Sequence, residues 1–497
     1  MSNSISNGLR TPFSLVMCLL SASALWSQSY QGGLRGLVVD GGGAIIGTAK
    51  VSLTNQSSGI TRSTLSNDTG EYVFNSLEPA TYSLTVETPG FKKFEKKSVI
   101  VGTQQFLTID AKMGIGAVTE SILVTEEVPL IESANASTGQ VIDCQKLVDL
   151  PNLGRNPFMM SKIAQNVVPA GNPNFNRMQD QSGSSQISIA GGPVRGNNYL
   201  LDGVPITDAV NRAVIIPTIE SVKEVKVQAN TYDAEMGRTG GGVFNTYLKS
   251  GANKLNGSGF GYIRQTDWMA NTYFNNRNGK PIVDQPFKNY GGSIGGPVWI
   301  PKVYDGRNKS FFFIGAEAYR QISSVSSELA VPTPAEISGD FSQRARSPII
   351  YDPLSTRLVN GVNVRDAFAG NIIPTNRIST VGSNIAKTYP LPTKDTAYAA
   401  TNIGVATSQY DRADQLTGKF DQTIKNWWRV NASYLHYGSR EPGENWFGTV
   451  SSPAAWLLAR KVDASQINSL FTVGSTSVLS VRYGFNRFPN DNYQRSL

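Results

Sequence analysis

Residues 187–208 read ISIAGGPVRGNNYLLDGVPITD, two short alternating runs that each end in a pair of turn residues. The first run, Ile187 to Ile189, is followed by Gly191-Gly192, and the second, Tyr199 to Leu201, is followed by Asp202-Gly203. Both pairs tolerate a positive φ angle, which lets a strand turn back sharply. The stretch alone fits a surface hairpin in any α+β domain, so its neighbours in the sequence decide what it belongs to.

Two further blocks flank this stretch. LPNLGRNPFMM spans residues 150–160 and precedes a short helical stretch, and a glycine-rich block follows at residues 219–258. In this order the blocks resemble the plug domain of TonB-dependent outer-membrane receptors, in particular the Oar-like subgroup with a carboxypeptidase regulatory-like domain ahead of the plug. The plug-signature residues that carry the resemblance are Leu150, Pro151, Gly154, Arg155, Asn156, Gly191, Gly192, Asp202, Gly203, Gly237, Arg238 and Gly240.

The composition favours a chain built mainly from β-strands. With 497 residues it exceeds one ordinary domain, and the length suggests about three. Charged residues make up only 16% of the chain, glycine occurs 48 times and aromatic residues reach 9%. That mixture suits many short strands and turns better than helical bundles. We therefore predict a mainly β fold.

Several classes of function are disfavoured. The net charge is +8, but the sequence contains no basic helix and no basic run that is interleaved with aromatic residues. Nucleic acid is therefore not an expected partner. The single histidine, His436, argues against a histidine-based metal site or catalytic triad. The run Gly237 to Gly242 lacks the Lys-Ser/Thr ending of a phosphate loop and fits a structural turn. We expect no catalytic residues, no metal and no cofactor, which leaves a secreted enzyme with little support.

The N-terminus has the layout of a secretory signal peptide. In residues 1–29, Arg10 precedes an apolar core from Pro12 to Leu20, and small residues follow. The core is too short for a membrane-spanning helix, and no later segment is apolar enough for one. Any membrane insertion must then use strands. Because Cys18 lies in this segment, Cys144 would be left without an internal disulfide partner.

Residues 33–113 give short β runs at regular spacing, which predicts a small β-sandwich. The stretch NDTGEYVFNSLEPATYSLTVETPGF, residues 67–91, resembles the transthyretin-like, carboxypeptidase regulatory-like domain. That family name implies no peptidase activity, and residues 67–91 contain no histidine. We expect a non-catalytic module.

A short β-prone segment lies between the predicted sandwich and the predicted plug. It resembles the TonB box, which pairs through its backbone with the periplasmic energy-transducing protein TonB. Strand addition of this kind needs an extended, unpaired segment. An ordinary strand is the alternative for so short a motif. The residues concerned are Glu120, Ser121, Ile122, Leu123, Val124 and Thr125.

From Leu255 onward the sequence changes to long alternating strands, as in the run from Val478 to Asn486. One apolar face and one polar or small face suit a strand with lipid on one side and a wet or plugged lumen on the other. A soluble sandwich with one wet face is the alternative. Strands of about ten residues, aromatics such as Trp427 at strand ends, and connections of unequal length (422–426 against 323–410) favour the barrel.

The resemblance covers nearly the whole chain and implies an organisation and a function. The expected order is a signal peptide (1–29), sandwich (30–115), TonB-box linker (116–135), α+β plug (136–250) and partial antiparallel outer-membrane β-barrel (251–497) with a long extracellular loop (323–410). A receptor of this type in a Gram-negative outer membrane would contact TonB and outer-membrane lipid, and would import an extracellular ligand by TonB-driven remodelling of the plug. A non-transporting structural or adhesion protein of the same fold stays open as the alternative.

The number of barrel-type strands predicts an incomplete barrel. About seven can be placed after Leu255, whereas the resemblance implies 22, and barrel diameter grows with strand number. The final residues, DNYQRSL, lack an alternating last strand with a terminal aromatic. We therefore expect the front part of a longer protein, with an open wall.

Overall fold

The structure is a computed structural model, and it describes residues 31–116, 121–124, 139–151, 155–169, 186–209, 211–229, 237, 239–342, 349–394, 401–453, 456–473 and 477–494. The predicted signal peptide lies outside these ranges, as do Glu120, Thr125, Gly154 and Arg238 among the predicted site residues. Within the described ranges no helix is long and apolar enough to cross a membrane.

The first unit, called the sandwich below, consists of two packed sheets. Its strands are β1 (Gly32–Asp40), β2 (Lys50–Asn55), β3 (Thr61–Leu65), β4 (Glu71–Leu77), β5 (Ala80–Glu87), β6 (Lys93–Val101), β7 (Phe106–Thr108), β8 (Ala111–Met113) and β9 (Ser121–Val124). One sheet has the order β4-β1-β7 with β8 also paired to β1, and the other has the order β3-β2-β5-β6-β9.

Alternation along these strands builds the sandwich core. On β5, for example, Tyr82, Leu84 and Val86 are buried between the sheets while their neighbours face outward. Tyr72 on β4 donates its hydroxyl to the carbonyl of Ile109 on the way from β7 to β8, which ties strand to loop inside the core. The predicted sandwich is confirmed.

The second unit, called the plug below, is built around a five-stranded mixed sheet. Its elements are β10 (Gly139–Asp143), an α-helix (Cys144–Asp149), a 3-10 helix (Pro157–Ile163), β11 (Val167–Pro169), β12 (Ile187–Ile189), β13 (Asn198–Leu201), β14 (Val204–Pro205), a 3-10 turn (Ile219–Ser221), β15 (Val222–Ala229) and β16 (Gly242–Leu248). The sheet has the order β10-β15-β16-β13-β14. An aromatic cluster of Phe158, Tyr199 and Phe244, with ring centroids 4.8 to 5.5 Å apart, fills its centre. The predicted α+β character is confirmed.

The third unit, called the wall below, is a single antiparallel sheet. Its strands are β17 (Asn256–Arg264), β18 (Phe287–Pro297), β21 (Ser310–Leu329), β24 (Ile403–Lys425), β25 (Trp428–Pro442), β26 (Trp456–Val473), β27 (Ser477–Arg487) and β28 (Asn490–Gln494). Their order is β17-β18-β21-β24-β25-β26-β27, with β28 also paired to β26. The sheet is not closed, as the strand count predicts.

Short elements occupy the connections of the wall. Two small hairpins pair β19 (Trp299–Ile300) with β20 (Tyr304–Asp305), and β22 (Arg357–Val359) with β23 (Val362–Val364). The helical elements are Thr266–Trp268, Tyr273–Arg277, Pro334–Ile337, Pro353–Ser355, Ala369–Asn371, Thr375–Arg377 and Thr380–Ala386.

The two faces of the wall are inverted relative to a soluble sheet. Apolar side chains such as Ile314, Leu479 and Tyr483 lie on the exposed face. Polar ones such as Thr417 and Asn468 are buried on the face that contacts the plug, next to a smaller apolar area where Leu435 and Val462 join the core of the plug. A sheet that solvates its apolar residues in lipid and covers its polar ones with a plug has this pattern, whereas a soluble sandwich has the reverse.

The strands of the central hairpin extend further than the sequence predicts. β21 and β24 pair without interruption from Ser310 with Gln422 to Leu329 with Ile403. The long connection therefore covers residues 330–402 rather than 323–410. At the opposite end, only Asn426 and Trp427 separate β24 from β25, and the Trp427, Trp428 and Phe471 rings stack there.

Candidate functional site

The Asp202-Gly203 pair forms the turn between β13 and β14, with φ angles of 44° and 80°. Positive φ at both positions is the geometry that matches the twist of a tight hairpin, and Asp-Gly is a favoured pair for it. The turn brings the Asp202 carboxylate against the inner face of the wall. The predicted turn residue therefore also lies at the contact between plug and wall.

Asp202 forms a buried ion pair with Lys419 of β24. The Lys419 Nζ lies 3.0 Å from Asp202 Oδ2, and the two side chains are 1% and 2% exposed. Gln466 Nε2 of β26 donates to the same oxygen at 3.0 Å, and the Leu248 N–H donates to Oδ1 at 2.8 Å. Burial raises the pKa of Asp202, although the Lys419 charge and the Leu248 hydrogen bond act in the opposite direction.

Lys419 has further partners on the plug. Its Nζ lies 4.0 Å from the centroid of the Tyr247 ring and donates to the Leu248 carbonyl at 3.3 Å. A buried ammonium is tolerated where a carboxylate, a carbonyl and an aromatic face surround it together. The ion pair thus links one wall strand to the turn after β13 and to the end of β16.

β27 contacts the other side of the same turn. Arg482 Nη1 donates to the Gly203 carbonyl at 3.0 Å, and Asn486 Nδ2 donates to the Pro205 carbonyl at 2.7 Å. Between them, a Cβ on Gly484 would lie 2.2 Å from Cγ1 of Val204, so the wall approaches the plug there as closely as a glycine allows.

Arg155 forms a second contact between plug and wall. Its Nη2 lies 3.1 Å from Glu220 Oε1, with both side chains 9% exposed. Its guanidinium carbon lies 4.4 and 4.5 Å from the ring centroids of Phe260 and Tyr262 on β17. Ser258 Oγ of the same strand donates to Glu220 Oε2 at 2.9 Å. A planar cation that packs against two neighbouring rings and pairs with a carboxylate uses both the charge and the flat faces of arginine.

The remaining described signature residues support local turns. Leu150 and Pro151 follow the helix Cys144–Asp149, and Asn156 caps the 3-10 helix by accepting from the Phe158 N–H at 2.9 Å. A Cβ on Gly192, which follows Gly191, would lie 2.6 Å from the Gly240 carbonyl oxygen, so two distant glycine segments meet. Asn198 Nδ2 donates to the Gly237 carbonyl at 3.1 Å.

The wall residues at this site are not among the predicted site residues. Lys419, Gln466 and Arg482 lie on the polar faces of strands whose alternation indicates only the fold. One signal in the sequence could have indicated Lys419. It is a charged residue on the inward face of a predicted barrel strand, next to Phe420 on the outward face. Its partner could not be deduced, because pairing depends on how deep the plug lies in the wall.

The segment resembling the TonB box lies on the sandwich. Ser121 to Val124 form β9, which pairs in parallel with the first four residues of β6. The segment is extended, as predicted, but one of its edges is occupied. Among the described residues, no group of three His, Cys, Asp or Glu side chains could hold a metal ion.

Replacing Gly203 with Val should impair seating of the plug. Valine is β-branched and strained at a φ of 80°, which costs about 1–3 kcal/mol, and strain here displaces the carbonyl that Arg482 binds. Protease protection of the plug and the urea midpoint of the purified protein would measure the loss. Gly361→Val is the matched control, because Gly361 has a φ of 79° in an outer hairpin with open space around it. Equal protection of the plug in both variants would contradict the prediction.

Comparison with known proteins agrees with this architecture. Residues 247–496, half of the chain, match the outer membrane beta barrel domain family, and residues 33–114 match the carboxypeptidase regulatory-like domain family. The TonB-dependent transporter Oar of Myxococcus xanthus is 24% identical over 263 residues, which are 50% of this chain and 22% of that protein. The chain thus matches about a fifth of this curated relative.

Two solved structures resemble the chain at low identity. The outer membrane transporter YddB from Escherichia coli has a TM-score of 0.44 and 12% identity, covering 72% of this chain and 39% of YddB. The siderophore receptor PirA from Pseudomonas aeruginosa has a TM-score of 0.38 and 12% identity, covering 71% of this chain and 41% of PirA. From the family matches, the chain belongs to the outer membrane beta barrel domain family, carries a carboxypeptidase regulatory-like domain ahead of the barrel, and is similar to the TonB-dependent transporter Oar.

Proposed function

We propose that this chain acts in TonB-dependent import: the wall and plug hold an extracellular ligand, and a pull from TonB on the periplasmic side remodels the plug so that the ligand passes. Residues 1–29 would direct export to the outer membrane. The relative from Myxococcus xanthus is named as a TonB-dependent transporter, which agrees with a function that needs no covalent chemistry.

The observation that carries this proposal is the polar part of the contact between plug and wall, which lies beside an apolar part where Tyr319, Leu435 and Val462 of the wall join the core of the plug. In the polar part, hydrogen bonds and one ion pair join the plug to Lys419, Gln466, Arg482 and Asn486. Water can replace the hydrogen bonds of Gln466, Arg482 and Asn486 one at a time as the plug moves, whereas the buried Lys419–Asp202 ion pair and the apolar part hold the plug at rest. A plug held this way can be retained at rest and still be moved under force.

The polar inner face of the wall supports passage as well. Thr417, Asn431 and Asn468 are buried on the inner face of the wall. Once the plug moves, these side chains would line a hydrated path, as in other barrels whose interior is polar. The ligand itself stays open among siderophores, cobalamin, glycans and peptides.

Deleting Ile122 to Thr125 tests the transport proposal. Uptake of the four ligand classes would be compared between a strain with the deletion and one with the intact protein, at equal amounts in the outer membrane. Loss of uptake for one class supports transport and identifies the ligand. Unchanged uptake together with lost cell adhesion would instead favour the structural or adhesive alternative.

Replacing Val124 with Pro should weaken crosslinking to TonB about tenfold. Proline removes the backbone N–H that strand pairing uses, and an unmade hydrogen bond in a short ladder costs about 1–3 kcal/mol. Val124→Thr keeps both the N–H and the β-branched shape and serves as the control. Crosslinking by Val124→Pro at the wild-type level would show that residues 120–125 are not the TonB box.

A further inference from the structure

The strand β9 is the outermost strand of its sheet. Its four residues pair with β6 in parallel register, from Lys93 with Ser121 to Lys96 with Val124. In the described part of the chain, the sheet order ends at β9, so its second edge is not paired. A strand carries hydrogen-bonding groups on both edges, and an unpaired edge is a template for another strand.

β6 itself does not offer a comparable edge. β9 covers only its first four residues, and just beyond them Ser98 has a φ of 57° where the register with β5 shifts between Tyr82 and Leu84. A bulge of this kind interrupts the ladder, and the exposed Lys97 beside it discourages pairing with another chain. The regular part of this side of the sheet is therefore the outer edge of β9.

The sheet that carries β9 is anchored to the plug. β6 leads directly into residues 102–105, where the Thr103 N–H donates to the Glu224 carboxylate and Lys226 Nζ donates to the Gln104 carbonyl at 2.9 Å. Glu224 and Lys226 lie on β15 of the plug sheet, and both are buried. Burial raises the pKa of Glu224, while the bond from Thr103 lowers it.

The segment that joins the plug to the wall anchors the sandwich as well. The Asn253 N–H donates to the Ser57 carbonyl at 3.0 Å, and Asn253 Nδ2 donates to the Ser58 carbonyl at 2.6 Å. The loop between β2 and β3 is thereby held at the entrance to the wall. Contacts on two sides fix the sandwich, and with it β9, relative to both other units.

We propose that the sandwich presents the TonB-pairing segment: a strand of TonB adds to the free edge of β9 while β9 stays paired with β6. This inference rests on the proposed function, because it takes TonB as the partner. The segment is already extended, so the entropy of ordering it is lost when the sandwich folds and not when the partner binds. The partner would thereby extend the sheet β3-β2-β5-β6-β9 by one strand.

A reversible crosslink between β6 and β9 tests this arrangement. Lys93 and Ser121 are register partners, so Lys93→Cys with Ser121→Cys, in a Cys144→Ser background, allows an added oxidant to convert the two thiols into one disulfide. Binding of the purified periplasmic domain of TonB to the full-length protein would be measured before and after oxidation, and again after reduction. Lys93→Cys alone controls for effects of the oxidant.

If the sandwich presents the segment, the affinity of the oxidised protein for TonB should lie within about twofold of the affinity of the reduced form. A loss of about tenfold or more on oxidation, recovered on reduction, would overturn the inference, because the segment would then have to leave β6 to bind. Failure of the disulfide to form would overturn it too, since the pairing itself would be absent. If neither the wild-type protein nor either form of the variant binds TonB, the proposed function fails, and the inference fails with it.

Discussion

Replacing Lys419 with Met should lower the free energy of unfolding by about 3–5 kcal/mol, because the change leaves the Asp202 carboxylate buried without its cation. Met has a similar length, so little volume is lost. The urea midpoint of the protein in lipid vesicles measures the loss, and protease protection of the plug shows whether the plug is the part that loosens. The effect should be large because Asp202 is only 2% exposed and water cannot solvate it.

The double variant Lys419→Met with Asp202→Asn distinguishes a lost ion pair from general damage. Removing both charges takes away the desolvation cost together with the attraction, so much of the lost stability should return. Lys394→Met is the matched control, since Lys394 pairs with Glu328 in a part of the protein where both side chains are about half exposed. That change should cost less than about 1 kcal/mol. Strictly additive losses in the double variant would show that the two side chains do not depend on each other.

Replacing Arg155 with Ala should also cost about 3–5 kcal/mol. The substitution leaves Glu220 buried without its cation and removes the group that packs against the Phe260 and Tyr262 rings. Stacking on the two rings adds about 0.5–2 kcal/mol beyond the ion pair. Urea unfolding measures the total, and the fraction of plug accessible to protease measures release from the wall.

Arg155→Lys separates the two contributions. Lysine keeps the charge near Glu220 but lacks the flat guanidinium. The free energy of unfolding of Arg155→Lys should therefore lie between that of the wild type and that of Arg155→Ala. Arg357→Ala provides the control, because Arg357 and its partner Asp366 are both more than half exposed in the outer connection. A loss for Arg155→Lys as large as that for Arg155→Ala would mean that the charge contributes little.

The sequence predicts the turn at Asp202 but not its role at the wall. An Asp-Gly pair between two alternating runs predicts the backbone geometry of its turn, because the need for a positive φ angle is local. The partner Lys419 lies on a strand that is distant in the sequence, and only the packing of plug against wall brings the two together. The same holds for Arg155, because the sequence does not indicate that its aromatic neighbours on β17 contact it.

The ends of the wall strands differ from the prediction for a related reason. Residues 323–329, SSVSSEL, show little apolar alternation, so the residue pattern does not predict that β21 continues there. Alternation is strong only where one face meets lipid and the other does not. Beyond the lipid both faces are wet, and the strand continues on backbone pairing with β24 and on a hydrogen bond between the hydroxyls of Ser324 and Ser408.

Likewise, the β-branched residues of segment 121–124 predict an extended chain but cannot specify that β6 is its neighbour. Parallel pairing over four residues depends on where the sandwich leaves an open edge. The bulge at Ser98, which limits that edge, is equally invisible in the residue pattern around it.

Under the proposed function, the length of the β21–β24 hairpin would determine where a ligand first meets the protein. Twenty paired residues at about 3.3 Å each, tilted by about 40°, rise roughly 50 Å, about twice the height of an apolar band of about 25 Å. In the orientation that the proposed function requires, Asn426 and Trp427 turn the chain from β24 into β25 at the periplasmic end, so most of the excess would stand outside the cell as a stiff rim. Capture would then begin in the water layer above the lipid headgroups, and the captured solute would pass from there along the inner face of the wall. Lengthening or trimming that rim would change how often a solute is caught without touching the plug beneath it.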